Sequence, residues 1–104
     1  LLLLIDVQEK LIPNIFEAES LIKNCEWLLQ LANKMAVPIL ISEQYIKGLG
    51  ETIPSLKSIC QQMPICNKLH FSCYADFNAK QAIQQVNKKQ IILIGIEAHV
   101  CVLQ

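Results

Sequence analysis

The sequence predicts an α/β fold: a Rossmann-like, three-layer arrangement in which helices flank a parallel sheet. Two observations carry this. Short apolar runs alternate along the chain with segments of helical periodicity, in the order strand, helix, strand, short helix, strand, helix, strand. The apolar runs are also continuous rather than alternating, as suits strands covered on both faces.

Leu1 to Asp6 is an apolar run ending in a carboxylate and reads as the first strand. Pro13 and Asn14 then break the chain. From Glu17 to Lys34, Leu21, Ile22, Cys25, Leu28, Leu29 and Ala32 trace one face of an α-helix. Cys25 lies on that stripe and reads as a small core residue. Val37 to Ser42 forms a second strand, with Pro38 tolerated only near its start. Glu43 to Ile53 reads as a loop marked by Gly48 and Gly50, and Pro54 to Gln62 as a short helix. Ile65 to Leu69 is the third strand. Ala75, Ala79, Ala82, Ile83 and Val86 define a second amphipathic helix, with Asp76 near its N-cap. Asn87 to Lys89 turns the chain, and Gln90 to Gly95 is the clearest buried strand. A turn and the first residues of a helix follow. A parallel strand there needs a following helix to cover it. Residues 1–104 are therefore expected to form a single domain lacking its C-terminal strands and helices.

Composition narrows the function classes. The chain is 53% hydrophobic and 6% aromatic, which fits a compact globular protein and argues against disorder. Nine basic residues balance nine acidic ones, so charge gives no reason to expect nucleic acid or an anionic membrane as partner. The longest apolar runs, Leu1 to Ile5 and Ile91 to Ile94, are too short to cross a bilayer. The first has no basic segment before it and leads directly into Asp6, so it reads as a strand and not a signal peptide. The cysteines (Cys25, Cys60, Cys66, Cys73 and Cys101) are odd in number and form no C-x-x-C pair. Reduced thiols in a cytoplasmic compartment are expected, not a disulfide framework.

In open parallel sheets, ligands bind beyond the carboxyl ends of the strands. Asp6, Lys68 and Cys101 all fall there. Taken singly, each has a plainer reading: Asp6 as a cap or turn, Lys68 as a solvated cation, Cys101 as packing. Together they suit nucleophilic catalysis. The thiolate is the nucleophile, and a helix N-terminus or a nearby cation lowers the thiol pKa. Cys101 is expected at such a terminus, with Lys68 close by. Asp6 is placed to take the thiol proton and return it to a leaving group. Backbone N–H groups in the turn before Cys101 are placed to hold an oxyanion.

Four stretches carry a resemblance: Leu3-Leu-Ile-Asp6-Val-Gln8, Ser42-Glu-Gln-Tyr-Ile-Lys-Gly-Leu-Gly50, Lys68-Leu-His-Phe-Ser72 and Ile94-Gly-Ile-Glu-Ala-His-Val-Cys-Val102. In this order the chain resembles the isochorismatase-like cysteine hydrolase superfamily. The last stretch is the most specific. The stretch from Ser42 to Gly50 is most similar to the branch of isochorismatase domain-containing proteins and related bacterial hydrolases. The resemblance implies a six-stranded parallel sheet and an Asp-Lys-Cys triad falling on Asp6, Lys68 and Cys101. It implies cleavage of amide-type C–N bonds of a small molecule through a covalent thioester-type intermediate, no cofactor, and a homo-oligomer. It also implies an oxyanion hole at the backbone N–H groups of Glu97 and Cys101, and a cis peptide joining Ile96 to Glu97. Metal-binding relatives carry an Asp-x-His-x-x-His type motif after the second strand. Ser42-Glu-Gln-Tyr-Ile-Lys47 has no histidine, so no metal is expected and nicotinamide is disfavoured as substrate.

Around the triad, Gln8 is expected to anchor the first-strand loop by hydrogen bonds, with direct substrate contact as the alternative. Tyr45 and Phe71 are expected either to line a substrate pocket or to pack. His99 is not expected to act as base for Cys101, because neighbouring helix-start residues point apart. Cys66, His70 and Cys73 lack the spacing and fourth ligand of a zinc site. Two other readings stand beside the hydrolase: a non-catalytic interaction protein that keeps the fold, and a redox-sensing thiol protein.

Overall fold

A computed structural model describes residues 1–104 and shows an α/β fold built on four parallel strands. The strands are β1 (Leu2–Ile5), β2 (Ile39–Gln44), β3 (Ile65–Lys68) and β4 (Ile92–Gly95), in the spatial order β3-β2-β1-β4. Helices α1 (Ala18–Lys34) and α3 (Pro54–Ile59) cover one face, and α4 (Phe77–Val86) covers the other. Alternation along β1 feeds both cores. Leu2 and Leu4 join the α1 side with Cys25, Leu29, Ile41 and Leu56; Leu1, Leu3 and Ile5 join the α4 side with Leu40, Ala79 and Cys101. Cys25 is a core residue, as its place on the helical stripe predicts. No helix is long and apolar enough to cross a membrane.

The element boundaries follow local chemistry. Pro54 stands in the first turn of α3, where its missing N–H costs nothing. The Asp76 side chain accepts from the N–H groups of Asn78 and Ala79, at 3.0 and 3.2 Å, and caps α4. Asn87 takes the left-handed conformation that ends it. Gly95 cannot be replaced without strain: its φ is +148°, and a Cβ there would lie 2.2 Å from the Ile5 carbonyl oxygen. Close approach of β4 to β1 therefore requires glycine.

Two expectations are corrected. Glu43 and Gln44 belong to β2, and Ile46–Leu49 forms a short helix, α2, within the segment expected to be a loop. The two polar residues extend the strand because each finds buried partners. Second, β4 is not the most buried strand: Ile92 and Leu93 are 57% and 48% exposed. It lies at the sheet edge, opposite β3, with no element packed on its outer side. The sheet within this chain has four strands, the number its sequence order predicts.

Candidate active site

The strand register brings the polar residues together. Ile5 pairs with Ser42 and Gln44 pairs with Lys68, so Asp6, Ser42, Gln44 and Lys68 meet at the carboxyl edge of the sheet. Ser42 and Gln44, two apart on one strand, share the α4 face; Glu43 between them points to the α1 face. There it accepts from the Thr52 N–H at 2.7 Å and the Thr52 hydroxyl at 2.8 Å.

Asp6 and Lys68 are the centre of the site. Their side chains are fully shielded from solvent, and Lys68 Nζ lies 2.7 Å from Asp6 Oδ2. The Ser42 hydroxyl donates to Asp6 Oδ1 at 2.7 Å. Lys68 makes two further bonds, to Gln44 Oε1 at 2.8 Å and to the Phe71 carbonyl at 3.1 Å. Three acceptors thus meet the three N–H bonds of one ammonium group. A buried ion pair is tolerable only when both partners are satisfied in this way, and no buried side-chain polar atom in the chain lacks a partner.

Cys101 sits in a short π-helical turn, Ala98–Val102, after β4. It is 5% exposed, so the thiol is buried, unlike the accessible nucleophile expected. Its pKa also runs against expectation. Burial pushes the thiol up first, and the Asp6 carboxylate and Glu97 raise it further; Lys68 pulls the other way and is outweighed, leaving the thiol at about 12. Lys68 is paired with Asp6, whose carboxylate offsets its pull on the thiol. The resting form is therefore a neutral thiol beside a carboxylate, not a thiolate at a helix N-terminus.

Other expected residues take varied places. Gln8 is fully buried and clamps β2: its Nε2 donates to the carbonyls of Gln44, at 2.9 Å, and Gly50, at 2.6 Å, and its Oε1 accepts from the Gln44 N–H at 2.7 Å. Cys101 lines an apolar pocket of about 150 Å³ with Leu3, Ile5, Cys73 and Tyr74. Tyr45 and Phe71, each about half exposed, do not line it. Tyr45 instead borders a hollow of about 290 Å³ beside Lys68 and Leu69, and Phe71 contributes its carbonyl to Lys68. His99 is exposed and lies 3.7 Å from the Glu97 carboxylate. His70 lies 3.7 Å from the Asp76 carboxylate. The peptide bonds are all trans, so Ile96–Glu97 is not the cis bond expected; Glu97 takes a left-handed φ of 58° instead. Its N–H donates to no backbone carbonyl. Sequence reasoning missed Ser42, Gln44 and Cys73. Burial raises the Cys73 thiol, against the pull of a Ser42 hydrogen bond and of Lys68. The signal available for the first two was their i, i+2 spacing at the end of a buried strand.

Comparison with known proteins gives the family of the chain. The isochorismatase domain model matches residues 1–104. Isochorismatase domain-containing protein 2 of Danio rerio is 36% identical over 97% of this chain and 50% of its own length. Isochorismatase family protein 1A of Dictyostelium discoideum is 34% identical over 100% of this chain and 52% of its own. The chain thus spans about half the length of the curated relatives it matches. Among solved structures, the MAR1 ribonuclease of Caenorhabditis elegans superposes with a TM-score of 0.87 at 38% identity, covering 99% of this chain and 53% of that one. The YcaC gene product of Escherichia coli, described as an octameric hydrolase of unknown specificity, shares the fold with a TM-score of 0.89 at 24% identity, over 96% of this chain and 51% of that one. With a family model matched along its entire length and relatives above 30% identity, the chain belongs to the isochorismatase domain family.

Proposed function

We propose that the protein is a cysteine hydrolase that cleaves an amide-type C–N bond of a small molecule, with Cys101 as nucleophile, Asp6 as proton carrier and Lys68 as the cation that holds Asp6. Family membership supports hydrolysis in general. The observation that carries the specific reading is the buried Asp6 carboxylate, held on one oxygen by Lys68 and on the other by Ser42, with Cys101 in the turn that follows the neighbouring strand β4 and its thiol raised by that carboxylate.

A thiol at about 12 is not ionised in advance, so proton transfer accompanies attack. Asp6 takes the Sγ proton as sulfur bonds to the carbonyl carbon and the C=O electron pair moves onto oxygen. The Glu97 N–H, which has no backbone acceptor, and the Cys101 N–H are the proposed oxyanion donors. When the tetrahedral species collapses, the C–N bond breaks and Asp6 returns the proton to the departing nitrogen. Water then adds to the thioester while giving a proton to Asp6. The C–S bond breaks, and the sulfur recovers that proton, leaving amine and carboxylic acid. No cofactor enters these steps.

The test is mass spectrometry of the protein incubated with a panel of small amides. An acyl adduct on the Cys101 peptide, missing from D6N, supports the mechanism. Full turnover by C101A ends it. The ribonuclease description of the nematode relative offers a second chemistry, but nine basic and nine acidic residues give this chain no excess of positive charge for RNA. RNA cleavage that survives C101A would point there. The redox reading draws on one observation, that Cys73 lines the same pocket as Cys101. Raised thiols count against it, and a peroxide-induced disulfide between the two would favour it. Self-association, as the octameric description of YcaC suggests, is checked by sedimentation.

A further inference from the structure

We infer that Ser42 and Gln44 are positioning residues of the site: β2 presents them at i and i+2 on one face, so that Ser42 fixes the Asp6 carboxylate and Gln44 fixes the Lys68 ammonium. The inference rests on the proposed role of Asp6 and Cys101 and deepens it.

The bonds divide the work. Lys68 reaches Asp6 Oδ2 and Ser42 reaches Oδ1, both at 2.7 Å. Two donors on opposite oxygens set the rotation of the carboxylate plane, which a single ion pair leaves free. The lone pairs still open on the carboxylate are those available to the Cys101 proton. Lys68 is held in turn. Its long stem has high rotational freedom, and Gln44 Oε1, at 2.8 Å, removes it. The Gln44 amide cannot flip, because its Nε2 donates to the Leu69 carbonyl at 3.0 Å. The Gln44 backbone is locked on both sides by Gln8. A chain of bonds thus runs from Gln8 through Gln44 and Lys68 to Asp6, and Ser42 closes it from the other oxygen.

The experiment reads the rate of Cys101 alkylation by iodoacetamide at neutral pH, followed on the Cys101 peptide. Ser42→Ala frees one carboxylate oxygen of Asp6 and should lower the rate about tenfold. Ser42→Thr keeps the hydroxyl and restores the rate, which a purely structural role would not require. Gln44→Met keeps volume but removes the acceptor of the Lys68 ammonium, and should lower the rate about tenfold. It is the independent check should Ser42→Ala fail to fold. D6N separates the two ideas. If D6N leaves the Cys101 rate intact, the catalytic reading fails. If D6N lowers the rate while S42A and Q44M leave it unchanged, the catalytic reading stands and the positioning role is overturned.

Discussion

Replacing Lys68 by Met tests the centre of the site most directly. The substitution keeps most of the stem volume and removes the ammonium. Asp6, whose side chain has no solvent exposure, then loses its charge partner and keeps only neutral donors, the Ser42 hydroxyl among them. Gln44 Oε1 and the Phe71 carbonyl also lose the donor they share. Breaking a buried ion pair from one side costs about 3–5 kcal/mol. With a urea m-value of about 1.5 kcal/mol/M, the unfolding midpoint falls by at least about 2 M. The cost depends on pH. Without Lys68, burial disfavours the ionised Asp6 carboxyl, so the folded variant binds a proton that the unfolded chain has released. Stability is then lost as pH rises above the carboxylate range, and the penalty is larger at pH 8 than at pH 5. Adding D6N removes the stranded charge and recovers part of the loss. Urea unfolding of wild type, K68M, D6N and the double variant at both pH values gives the full cycle. A midpoint shift under about 0.5 M, an equal shift at both pH values, or no recovery in the double variant would refute the reasoning.

Three further outcomes follow from the same geometry. Because burial and Asp6 push the Cys101 thiol to about 12, its thiolate absorbance should be missing at pH 9, and folded stability should decline between about pH 9 and 12; C101A should flatten that alkaline decline, and an unchanged slope counts against the raised thiol. Gly95→Ala places a Cβ 2.2 Å from the Ile5 carbonyl oxygen and should cost more than about 3 kcal/mol, seen as a melting temperature at least about 12 °C lower; a loss of only a few degrees would mean that β4 can shift away from β1. Asp76→Ala removes the cap of α4 and should cost about 1 kcal/mol in urea unfolding, with Asp76→Asn largely restoring it.

The fold was legible where burial is symmetrical. Leu2–Ile5 and Ile39–Ser42 are covered on both faces, and their continuous apolar runs say so. Helix α1 was legible because one face alone is buried, at Cys25, Leu29 and Ala32. Ile91 to Ile94 carries the same run, yet β4 is largely exposed. A run records what a strand can bury, and its place in the sheet decides what is buried. Glu43 and Gln44 were hidden for the opposite reason. Charge and amide groups usually mark a loop, and only Thr52, Gln8 and Lys68, each distant in sequence, make their burial possible. The meeting of Asp6 with Lys68, 62 residues apart, was legible in their shared place at the carboxyl ends of strands, and the family resemblance named them as partners. Whether the pair raises or lowers the Cys101 thiol depends on the balance of Asp6 against Lys68. Sequence order carries no such information.

Backbone strain collects at the same edge. Asp6, Tyr45 and Glu97 follow β1, β2 and β4, and all three are non-glycine residues with positive φ, at 53°, 39° and 58°. Each such residue costs of order 1 kcal/mol and persists only where surroundings hold it. Lys68 holds two of them: its ammonium binds the Asp6 carboxylate, and its carbonyl accepts the Tyr45 N–H at 2.9 Å. The strained turns and the ion pair are therefore one structure, and a substitution at Asp6 disturbs both. This decides which variant isolates the chemistry. Asn tolerates the left-handed region and matches the shape of Asp, so D6N removes charge while leaving the turn. Alanine removes the charge and adds the backbone cost. D6A should accordingly be less stable than D6N by about 1 kcal/mol, even though both lack the carboxylate, and equal stability would show that the Asp6 turn is held by packing and not by the residue's own preference.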